Sequence, residues 1–406
     1  MKNIGIVGSG IAGLHLGLFL QKHGQDVTIY SEKSADQILE GRLFNLVVRF
    51  EPTRERERKL GVNHWDSPDY GVFGVHMYIG SQPPISWKGS VKRPASAVDM
   101  RIYQSTLLQD FEKRGGKVVI GGLESSDVAK LSSQHDLMVV ASGRGLTEMF
   151  PRDPNRSPYA TPQRRLTGAF VRGVDFPEGL RVNYTISPGN GEIFQAPFTT
   201  FEGNLCSILI EAIPGQAYDR ISDLRYDDDP KRFESTFLEL LRDYAPPIFE
   251  RVNPKEFGVT RPLDVIQGAV TPTVRHGYAS LGDGKFAMAL GDVHMLHDPI
   301  IAQGANNASK CAWILGEALI EASLINEEFC SDTEQLLWDA SRASMEWTNA
   351  TLQAPPPHAI ELFVAATQNK QIADELTDNF GSPEKNWAIF GSPEGAAAFL
   401  ARHQVH

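Results

Sequence analysis

The sequence predicts an α/β protein with three parts: a parallel-sheet unit of the Rossmann type, a second sheet of antiparallel strands, and a helical C-terminal region. Three observations support this prediction. The stretch NIGIVGSGIAGLHLG at residues 3–17 joins a run of small apolar residues to spaced glycines and an apolar helix pattern. Residues 165–213 alternate in the manner of antiparallel strands, and the chain from about residue 333 is typical of helices interrupted by proline.

The N-terminal glycines form a dinucleotide-binding fingerprint. Gly8 allows a tight turn after the first strand, Gly10 lets the backbone approach a pyrophosphate, and Gly13 lets the next helix lie close to the sheet. A second strand at 27–30 follows at the spacing of a βαβ unit. A glycine-rich turn that binds nothing is the alternative. The strand before the glycines and the helix after them favour binding, with the phosphates at the helix N-terminus.

The end of the second strand carries the candidate ribose-binding residues. In a Rossmann unit an acidic side chain at this place bonds to ribose hydroxyls. The alternation of the strand puts Ser31 at the usual acidic position. Glu32 takes that role only if the strand ends one residue later.

The elements that follow are predicted from their end signals. A helix in DMRIYQSTLLQDFEKR ends at the glycine pair 115–116 and leads into a strand at 117–120, and HDLMVVASGRG contains a further short buried strand. A later helix begins with Asp229 as its N-cap and Pro230 in its first turn. The charged run RERERK at 54–59 is expected to form a solvated helix face.

The length of the chain indicates two intimately joined domains, because 406 residues are too many for one small core. We expect a discontinuous dinucleotide-binding domain formed by residues 1–160 with 262–330. A β-rich substrate domain is expected at 161–261 together with part of 45–100, and a helical C-terminal region at 331–406.

The composition excludes several classes of partner. With 39 Lys and Arg against 50 Asp and Glu, the net charge is −11, which argues against nucleic acid or an anionic membrane. No apolar run approaches the ~20 residues that cross a bilayer. Cys206, Cys311 and Cys330 have no metal-ligand spacing, so we expect buried core thiols, no metal site and a reducing compartment. These features favour a cytoplasmic enzyme acting on small molecules.

Motifs along nearly the whole chain resemble the styrene and indole monooxygenases, which are FAD-dependent and have the hydroxybenzoate-hydroxylase fold. Besides the N-terminal motif these are RLFNLVV, AVDMRIYQ, LDVIQGAVTP, LGDVHMLHDPIIAQGAN, CAWILGEALI and ADELTDNFGSPEKNW. The resemblance implies that the first domain binds FAD through a βαβ unit like that of glutathione reductase.

The resemblance also implies a set of FAD-binding residues, with the three fingerprint glycines at the pyrophosphate. Arg42 and Gln104 would approach the phosphate and ribitol part, Leu123 would lie near the adenine, and Asp292 would bond to the ribityl chain. The implied set is Gly8, Gly10, Ile11, Ala12, Gly13, Ser31, Glu32, Arg42, Leu43, Gln104, Leu123, Ser142, Gly143, Asp292, Pro299, Gly304, Ala305 and Asn306.

The loop at residues 302–306 is the implied site of the flavin ring. Residues 303–306 would face the pyrimidine edge of the isoalloxazine, and Asn45 and Gln303 are the candidate catalytic residues. The family pattern here is Gly-Gln-Gly-Ala-Asn, and this chain has Ala302 in place of the first glycine.

The chain has no second nucleotide fingerprint for NADH. Single-component hydroxylases of this fold carry an Asp-Gly element after the third strand, whereas residues 141–144 here are Ala-Ser-Gly-Arg. The resemblance therefore implies an oxygenase component that receives reduced, diffusible FAD from a separate NADH-dependent flavin reductase. With O2 it would form a C4a-peroxyflavin that epoxidises a small aromatic alkene and oxidises sulfides. A homodimer is an assembly that the sequence leaves open.

The implied substrate residues are of mixed type. Asn45 and Val47 resemble the styrene enzymes, whereas Val72, Val75 and Ala95 resemble the indole enzymes.

Arg49 matches neither type, and its guanidinium is equally consistent with a substrate contact and with a surface or phosphate contact. Indole oxidation stays open as the alternative reaction. An FAD-dependent hydroxylase or halogenase, a flavin oxidase of amines or hydroxy acids, and a carrier without turnover are further alternatives.

Overall fold

The computed structural model describes residues 1–143 and 145–403 of the chain. Its strands are β1 (Asn3–Val7), β2 (Asp26–Ser31), β3 (Val48–Arg49), β4 (Gly71–Ile79), β5 (Ile85–Ala97), β6 (Lys117–Ile120), β7 (Leu137–Val140), β8 (Arg165–Arg172), β9 (Val182–Ser187), β10 (Gly191–Thr200), β11 (Gly203–Ala212), β12 (Gly258–Val259), β13 (Val265–Ala269), β14 (Thr273–Val274), β15 (Tyr278–Gly282), β16 (Lys285–Ala289) and β17 (Met295–Leu296). Its α-helices are α1 (Ile11–Lys22), α2 (Ala35–Leu39), α3 (Glu51–Leu60), α4 (Met100–Lys113), α5 (Ser125–Leu131), α6 (Pro230–Tyr244), α7 (Pro246–Phe249), α8 (Gly304–Glu321), α9 (Glu327–Thr351), α10 (Pro357–Gln368), α11 (Lys370–Asp378), α12 (Pro383–Phe390) and α13 (Pro393–His403).

The first sheet has six strands in the order β15–β16–β7–β1–β2–β6. All are parallel to their neighbours except β15, which is antiparallel to β16. Because β1 lies between β2 and β7, the loops that follow β1 and β7 leave the sheet side by side at its carboxyl edge. This confirms the predicted βαβ unit and brings the glycine loop next to residues 141–143.

Close backbone packing requires two of the fingerprint glycines. Gly8 has a φ of +114°, a conformation that L side chains rarely adopt. A Cβ on Gly8 would lie 2.8 Å from the carbonyl carbon of Ala141, and a Cβ on Gly13 would lie 2.0 Å from the carbonyl oxygen of Gly8. The tight turn and the close seat of α1 therefore both depend on the missing side chains.

The second sheet has nine strands in the order β12–β8–β11–β10–β9–β4–β5–β3, with β13 also paired to β8. Its pairs are antiparallel except for the parallel pair β4–β9. That pair joins the strands of residues 48–97 to those of residues 165–259. β13 lies within the 262–330 segment expected in the first domain, yet it pairs with β8 of the second sheet.

The C-terminal helices confirm the predicted helical region and cover one face of the second sheet. α11 packs directly on β5. A Cβ on Gly89 would lie 1.8 Å from Thr377 Oγ1 and 2.3 Å from the Ala373 carbonyl oxygen, so the glycine lets the helix backbone approach the strand. This contact fixes the helices over the part of the sheet that carries β4 and β5.

Local predictions of capping and burial are largely confirmed. Asp229 caps α6, its side chain accepting the backbone N–H of Arg232. The three cysteines are buried free thiols. In the described part of the chain, no helix combines the length and the apolar character that a membrane span needs.

The expectation of a solvated face for RERERK was wrong for two of its residues. Arg54 and Glu57 are buried. Arg54 donates to Asp66 at 2.8 Å, and Glu57 accepts from the Tyr103 hydroxyl at 2.8 Å. The reason is that α3 packs against α1, α8 and β5, a long-range contact that charge patterning does not show.

Candidate active site

A long cleft of about 460 Å³ runs between the two sheets. Loops at the carboxyl edge of the first sheet supply one wall, and strands β8, β11 and β13 supply part of the other. The predicted site residues that line this cleft are Gly10, Ile11, Ala12, Asn45, Val47, Gln104, Gly143, Asp292, Pro299, Gly304 and Ala305.

Two helices begin at the cleft without a side-chain cap. Gly10 is the N-cap of α1 and Gln303 is the N-cap of α8, and neither helix start receives a side-chain hydrogen bond. A Cβ on Gly10 would meet only Gln104 Nε2, at 3.8 Å, so the space in front of α1 is open. Uncapped N–H groups and the positive end of the helix dipole favour anions. The cleft is therefore lined by two helix starts that favour anions.

Asp292 lines the cleft near the start of α8, where a Cβ on Gly304 would lie 4.0 Å from its Oδ1. Its side chain is exposed to the cleft, and the protein atoms packed around it desolvate the carboxyl. This desolvation raises the pKa of the Asp292 carboxyl to about 6. A carboxylate with few donors of its own is suited to accept hydrogen bonds from the hydroxyls of a bound polyol chain.

Several predicted cofactor residues lie beside the cleft wall. Ser31 ends β2, and its buried hydroxyl bonds to Ser9 Oγ at 2.8 Å and donates to the Lys33 carbonyl at 2.6 Å. Ser142 abuts the glycine turn, since a Cβ on Gly8 would lie 2.9 Å from its backbone nitrogen. The remaining members of this group are Leu43 and Leu123, which pack in apolar clusters, and Glu32, which is exposed after β2.

The Ala-Ser-Gly-Arg segment ends in Arg144, which lies outside the described residues.

Arg42 does not line the cleft. Its guanidinium donates to the Asp227 carboxylate at 2.8 Å and to the Pro262 carbonyl at 2.7 Å, and its side chain is 45 % exposed. The structure therefore does not bring Arg42 together with the glycine loop. A phosphate contact would require the side chain to leave Asp227.

Gln303 and Asn306 hold the loop before α8 in place. Gln303 Nε2 donates to the carbonyls of Ile301 and Phe380, both at 3.0 Å. Asn306 Nδ2 donates to the carbonyls of Val48 at 2.9 Å and Ala302 at 2.8 Å. These bonds tie the loop to β3 and to the C-terminal helices, so both amides position the loop.

Ala302 should be a strained residue in this loop. It has a φ of +55°, in the left-handed region that costs a non-glycine residue about 1 kcal/mol or more. We expect Ala302→Gly to raise the free energy of unfolding by up to about 1 kcal/mol. Glycine also raises the conformational entropy of the unfolded chain, which offsets part of this gain. Urea titration of both proteins measures the change. A decrease in stability would contradict the assigned strain.

A smaller apolar cavity of about 100 Å³ adjoins the cleft. The predicted substrate residues Val72, Val75 and Ala95 line it, together with aromatic and aliphatic side chains of the second sheet. Its wall shares five residues with the long cleft, namely Leu46, Val48, Leu209, Pro299 and Ala302. None of the charged side chains in residues 1–143 and 145–403 lines this apolar cavity.

Arg49 lies away from both cavities. It follows Val48 on β3, and because side chains alternate along a strand, Val48 faces the cavities while Arg49 faces the opposite side. There the buried guanidinium donates to Ser96 Oγ at 2.9 Å, lies 3.4 Å from Glu57, and is stacked 4.3 Å from the Tyr103 ring centre. Arg49 is thus held by protein partners in the interior.

A buried carboxyl pair, which the sequence analysis did not identify, lies at the cleft. Glu211 and Asp298 are both fully buried and their charges interact, both carboxylate oxygens of Glu211 and Oδ2 of Asp298 have no hydrogen-bond donor among the described residues, and Asp298 lines the cleft. Glu211 also lies opposite Glu192 on β10, whose charge is balanced by Arg164 at 2.7 Å. Burial raises the pKa of Asp298 to about 6 and raises that of Glu211 well above its ordinary value. Because two buried carboxylates repel each other, the pair favours keeping a proton.

This pair should make stability fall as pH rises. The folded chain keeps a proton that the unfolded chain releases above the ordinary glutamate pKa, so its contribution is present at low pH and is lost as pH rises through the raised pKa. Glu211→Gln retains a donor for Asp298 without the ionisable proton. We expect the melting temperature of the variant to exceed that of the parent by a margin that widens from pH 5 to pH 9. Parallel curves would contradict the shared proton.

Two buried histidines flank the same loop. Burial lowers the pKa of His294 and of His297 to about 4, so both are neutral at physiological pH. His297 Nε2 lies 3.0 Å from Ser344 Oγ. Among the described residues there is no cluster of His, Cys, Asp and Glu that could hold a metal ion.

Comparison with known proteins decides the family. Residues 143–251 match the family described as "Styrene monooxygenase A putative substrate binding domain". The chain is 39 % identical over 398 residues to styrene monooxygenase StyA of Pseudomonas fluorescens, covering 97 % of this chain and 96 % of that protein. The chain belongs to the styrene monooxygenase family. A StyA from a further Pseudomonas species is 39 % identical over the same share of both chains.

Solved structures support the fold of this styrene monooxygenase family member. The flavin-dependent brominase Bmp2 superposes with a TM-score of 0.71 at 15 % identity, covering 99 % of both chains. The halogenase PltM in complex with phloroglucinol and FAD superposes with a TM-score of 0.66 at 15 % identity, covering 98 % of this chain and 86 % of that one. At such identities the likeness shows the fold alone.

Membership in the family makes the chain an FAD-dependent monooxygenase, and the long cleft fits the cofactor. The open space before Gly10 suits a pyrophosphate, because a side chain there would fill it. The uncapped start of α8 suits the electron-rich edge of the flavin ring. Asp292 lines the same cleft, and its carboxylate would accept hydrogen bonds from ribityl hydroxyls.

Proposed function

We propose that this chain is the oxygenase component of a two-component styrene monooxygenase. It would take reduced FAD from a separate NADH-dependent flavin reductase and use O2 to epoxidise small aryl alkenes and to oxidise aryl sulfides. The observation that carries the proposal is the apolar cavity, which adjoins the cleft at the loop of residues 299–305 that would hold the flavin ring. Three buried thiols without disulfides agree with a cytoplasmic location.

The proposed cofactor contacts include the N-termini of α1 and α8. The glycine loop and α1 would hold the pyrophosphate, Gln104 and Asp292 the ribityl chain, and residues 299–305 the ring. Residues 1–160 with 262–330 would form the cofactor domain, and β13 would contribute to the second sheet. When bound in reduced form, FAD supplies the electrons that activate O2.

The protein contributes position, polarity and exclusion of water. The N-terminus of α8 stabilises negative charge at the pyrimidine edge of the ring. The apolar cavity holds a flat substrate beside the ring and keeps water out. Asn45 lines the cleft beside this junction, and its Oδ1 accepts the N–H of Leu46 at 2.9 Å, which fixes the amide. We propose that this amide positions the reacting groups, while Gln303 acts by holding the loop.

The lining of the apolar cavity supports an uncharged substrate. Arg49 lies on the far side of β3, and removing a carboxylate from water without a partner is costly. This favours styrene, indole or an aryl sulfide over an aryl alkene that carries a carboxylate. Val72, Val75 and Ala95 leave room for either ring system, so indole oxidation stays as an outcome of the test.

A substrate panel tests the proposed function. Styrene, indole, thioanisole and cinnamate are each supplied with the protein, FAD, NADH and a generic flavin reductase, and oxygenated product is compared with hydrogen peroxide. We expect products from the uncharged substrates and none from cinnamate. Omission of the reductase should leave FAD oxidised and stop turnover. Rapid reduction of FAD by NADH on this chain alone would contradict the two-component assignment, and turnover of cinnamate alone would contradict the assigned substrate class.

A further inference from the structure

A third cavity lies between the second sheet and the C-terminal helices. We call it the helical chamber and define it by Trp87, Tyr184, Trp347, Phe363, Trp387 and Phe390. Its volume is about 230 Å³, which exceeds the 100 Å³ of the apolar cavity. The proposed chemistry assigns no role to this chamber, although the motif at residues 373–387 supplies Trp387 to its wall.

The helical chamber shares a wall with the apolar cavity. Tyr184, Ile301 and Phe380 belong to the walls of both. The ring of Phe380 lies 5.2 Å from that of Trp347 in the chamber and 6.2 Å from that of Phe50 in the apolar cavity. Phe380 therefore stands between the two spaces, and an aromatic side chain that rotates would join or separate them.

The opposite end of the chamber reaches the surface. The loop that joins α9 to α10 supplies Gln353, Pro355 and Pro356 to the wall, and all three are exposed. Ala350, in the last turn of α9, is exposed at the same end. The chamber thus extends from a surface loop to the cavity beside the proposed reaction centre.

The lining indicates the class of ligand. Aromatic side chains dominate it, and the one carboxylate, Glu192, is already balanced by Arg164 at 2.7 Å. The indole N–H of Trp87 is buried and has no acceptor among the described residues. The face of an aromatic ring or an ether oxygen would accept this N–H. These features suit an uncharged aromatic molecule better than a polar one.

We propose that the helical chamber is a second binding site for the uncharged aromatic substrate, through which it passes from the surface loop to the apolar cavity past Phe380. The identity of this ligand rests on the proposed function. The transfer of a poorly soluble hydrocarbon from water to an apolar protein surface is favourable in free energy. The chamber collects such molecules at the surface and delivers them to the apolar cavity.

Filling the chamber tests the proposal. Ala359 is buried in the chamber wall on α10, so Ala359→Phe places a ring in the chamber. Val364 lies on the same helix but is 40 % exposed, so Val364→Phe is a matched control. Ala350 is exposed at the surface end of the chamber, so Ala350→Phe narrows that end. It replaces Ala359→Phe in the test if circular dichroism shows that Ala359→Phe does not fold.

Two readouts separate a binding role from a structural one. Calorimetry with ethylbenzene, an unreactive analogue of styrene, should find roughly two molecules bound per chain in the parent and roughly one in Ala359→Phe. In turnover, kcat/KM for styrene should fall by about tenfold in Ala359→Phe and Ala350→Phe, with kcat within about twofold of the parent. Val364→Phe should match the parent in both.

The outcomes also separate this proposal from the proposed function. If the parent binds a single ethylbenzene, or if the folded chamber variants retain the parent stoichiometry and kcat/KM, the proposal is overturned. If the parent binds two molecules and Ala359→Phe binds one, while no aromatic alkene is oxygenated, the chamber is supported and the proposed reaction fails.

Discussion

Replacing Gly10 by aspartate should abolish FAD binding at micromolar concentrations and leave the fold intact. Gly10 has an ordinary extended backbone with φ of −73°, and a Cβ there meets only Gln104. Aspartate is also a favourable N-cap, so α1 should not be weakened. The carboxylate would occupy the place proposed for the pyrophosphate. Like charges brought together cost several kcal/mol, so we expect affinity to fall by about a hundredfold or more.

The controls for Gly10→Asp are Gly10→Ala and Gly13→Ala. Gly10→Ala meets no protein atom nearer than 3.8 Å, and it should weaken FAD binding less than Gly10→Asp, because its methyl group takes space at the proposed pyrophosphate site without adding a negative charge. Gly13→Ala should destabilise the whole protein, since its Cβ would lie 2.0 Å from the Gly8 carbonyl oxygen. Fluorescence titration with FAD and thermal melting measure the two effects. Tight FAD binding by Gly10→Asp would contradict the proposed pyrophosphate site.

Replacing Val75 by phenylalanine should remove most of the activity towards aryl alkenes without affecting FAD. Val75 lines the apolar cavity but not the long cleft. A ring in this position takes the space of the substrate. Burying an aromatic group stabilises by about 1.5–3 kcal/mol, so we expect kcat/KM for styrene to fall by about tenfold to a hundredfold.

The matched control for this variant is Val119→Phe. Val119 lies on β6 of the first sheet and is 37 % exposed. Steady-state kinetics and FAD titration are compared for the two variants and the parent. Unchanged styrene kinetics in Val75→Phe, with the variant folded, would show that the apolar cavity is not where the substrate reacts.

The fold was predictable where the signals are local. The glycine fingerprint depends mainly on steric limits within a few residues: a Cβ on Gly13 would meet the Gly8 carbonyl oxygen, and the φ of +114° at Gly8 belongs to the turn itself. The cap at Asp229 likewise needs only its own helix start. The alternation over 165–213 predicted antiparallel strands, because one side of β8, β10 and β11 packs against a common apolar cluster that also includes α6.

The side-chain geometry of the site was less predictable because it depends on distant contacts. Arg42 is held by Asp227 and Pro262, which no local pattern links to it. The direction of Arg49 depends on which face of a two-residue strand meets the cavity. The Glu211–Asp298 pair joins a strand of the second sheet to the loop before α8.

Alternation along β10 and β11 offered one signal for that pair. It puts Glu192 and Glu211 on inward-facing positions among apolar residues, and an inward carboxylate needs a partner.

A single-turnover measurement tests the central claim most directly. The protein is loaded anaerobically with reduced FAD and mixed with isotopically labelled O2 and styrene, without a reductase or NADH. The account predicts labelled styrene oxide in an amount close to that of the bound FAD, with little hydrogen peroxide, and a loss of this product in Val75→Phe. Complete conversion of the labelled O2 to hydrogen peroxide by the folded, FAD-loaded parent would contradict the account.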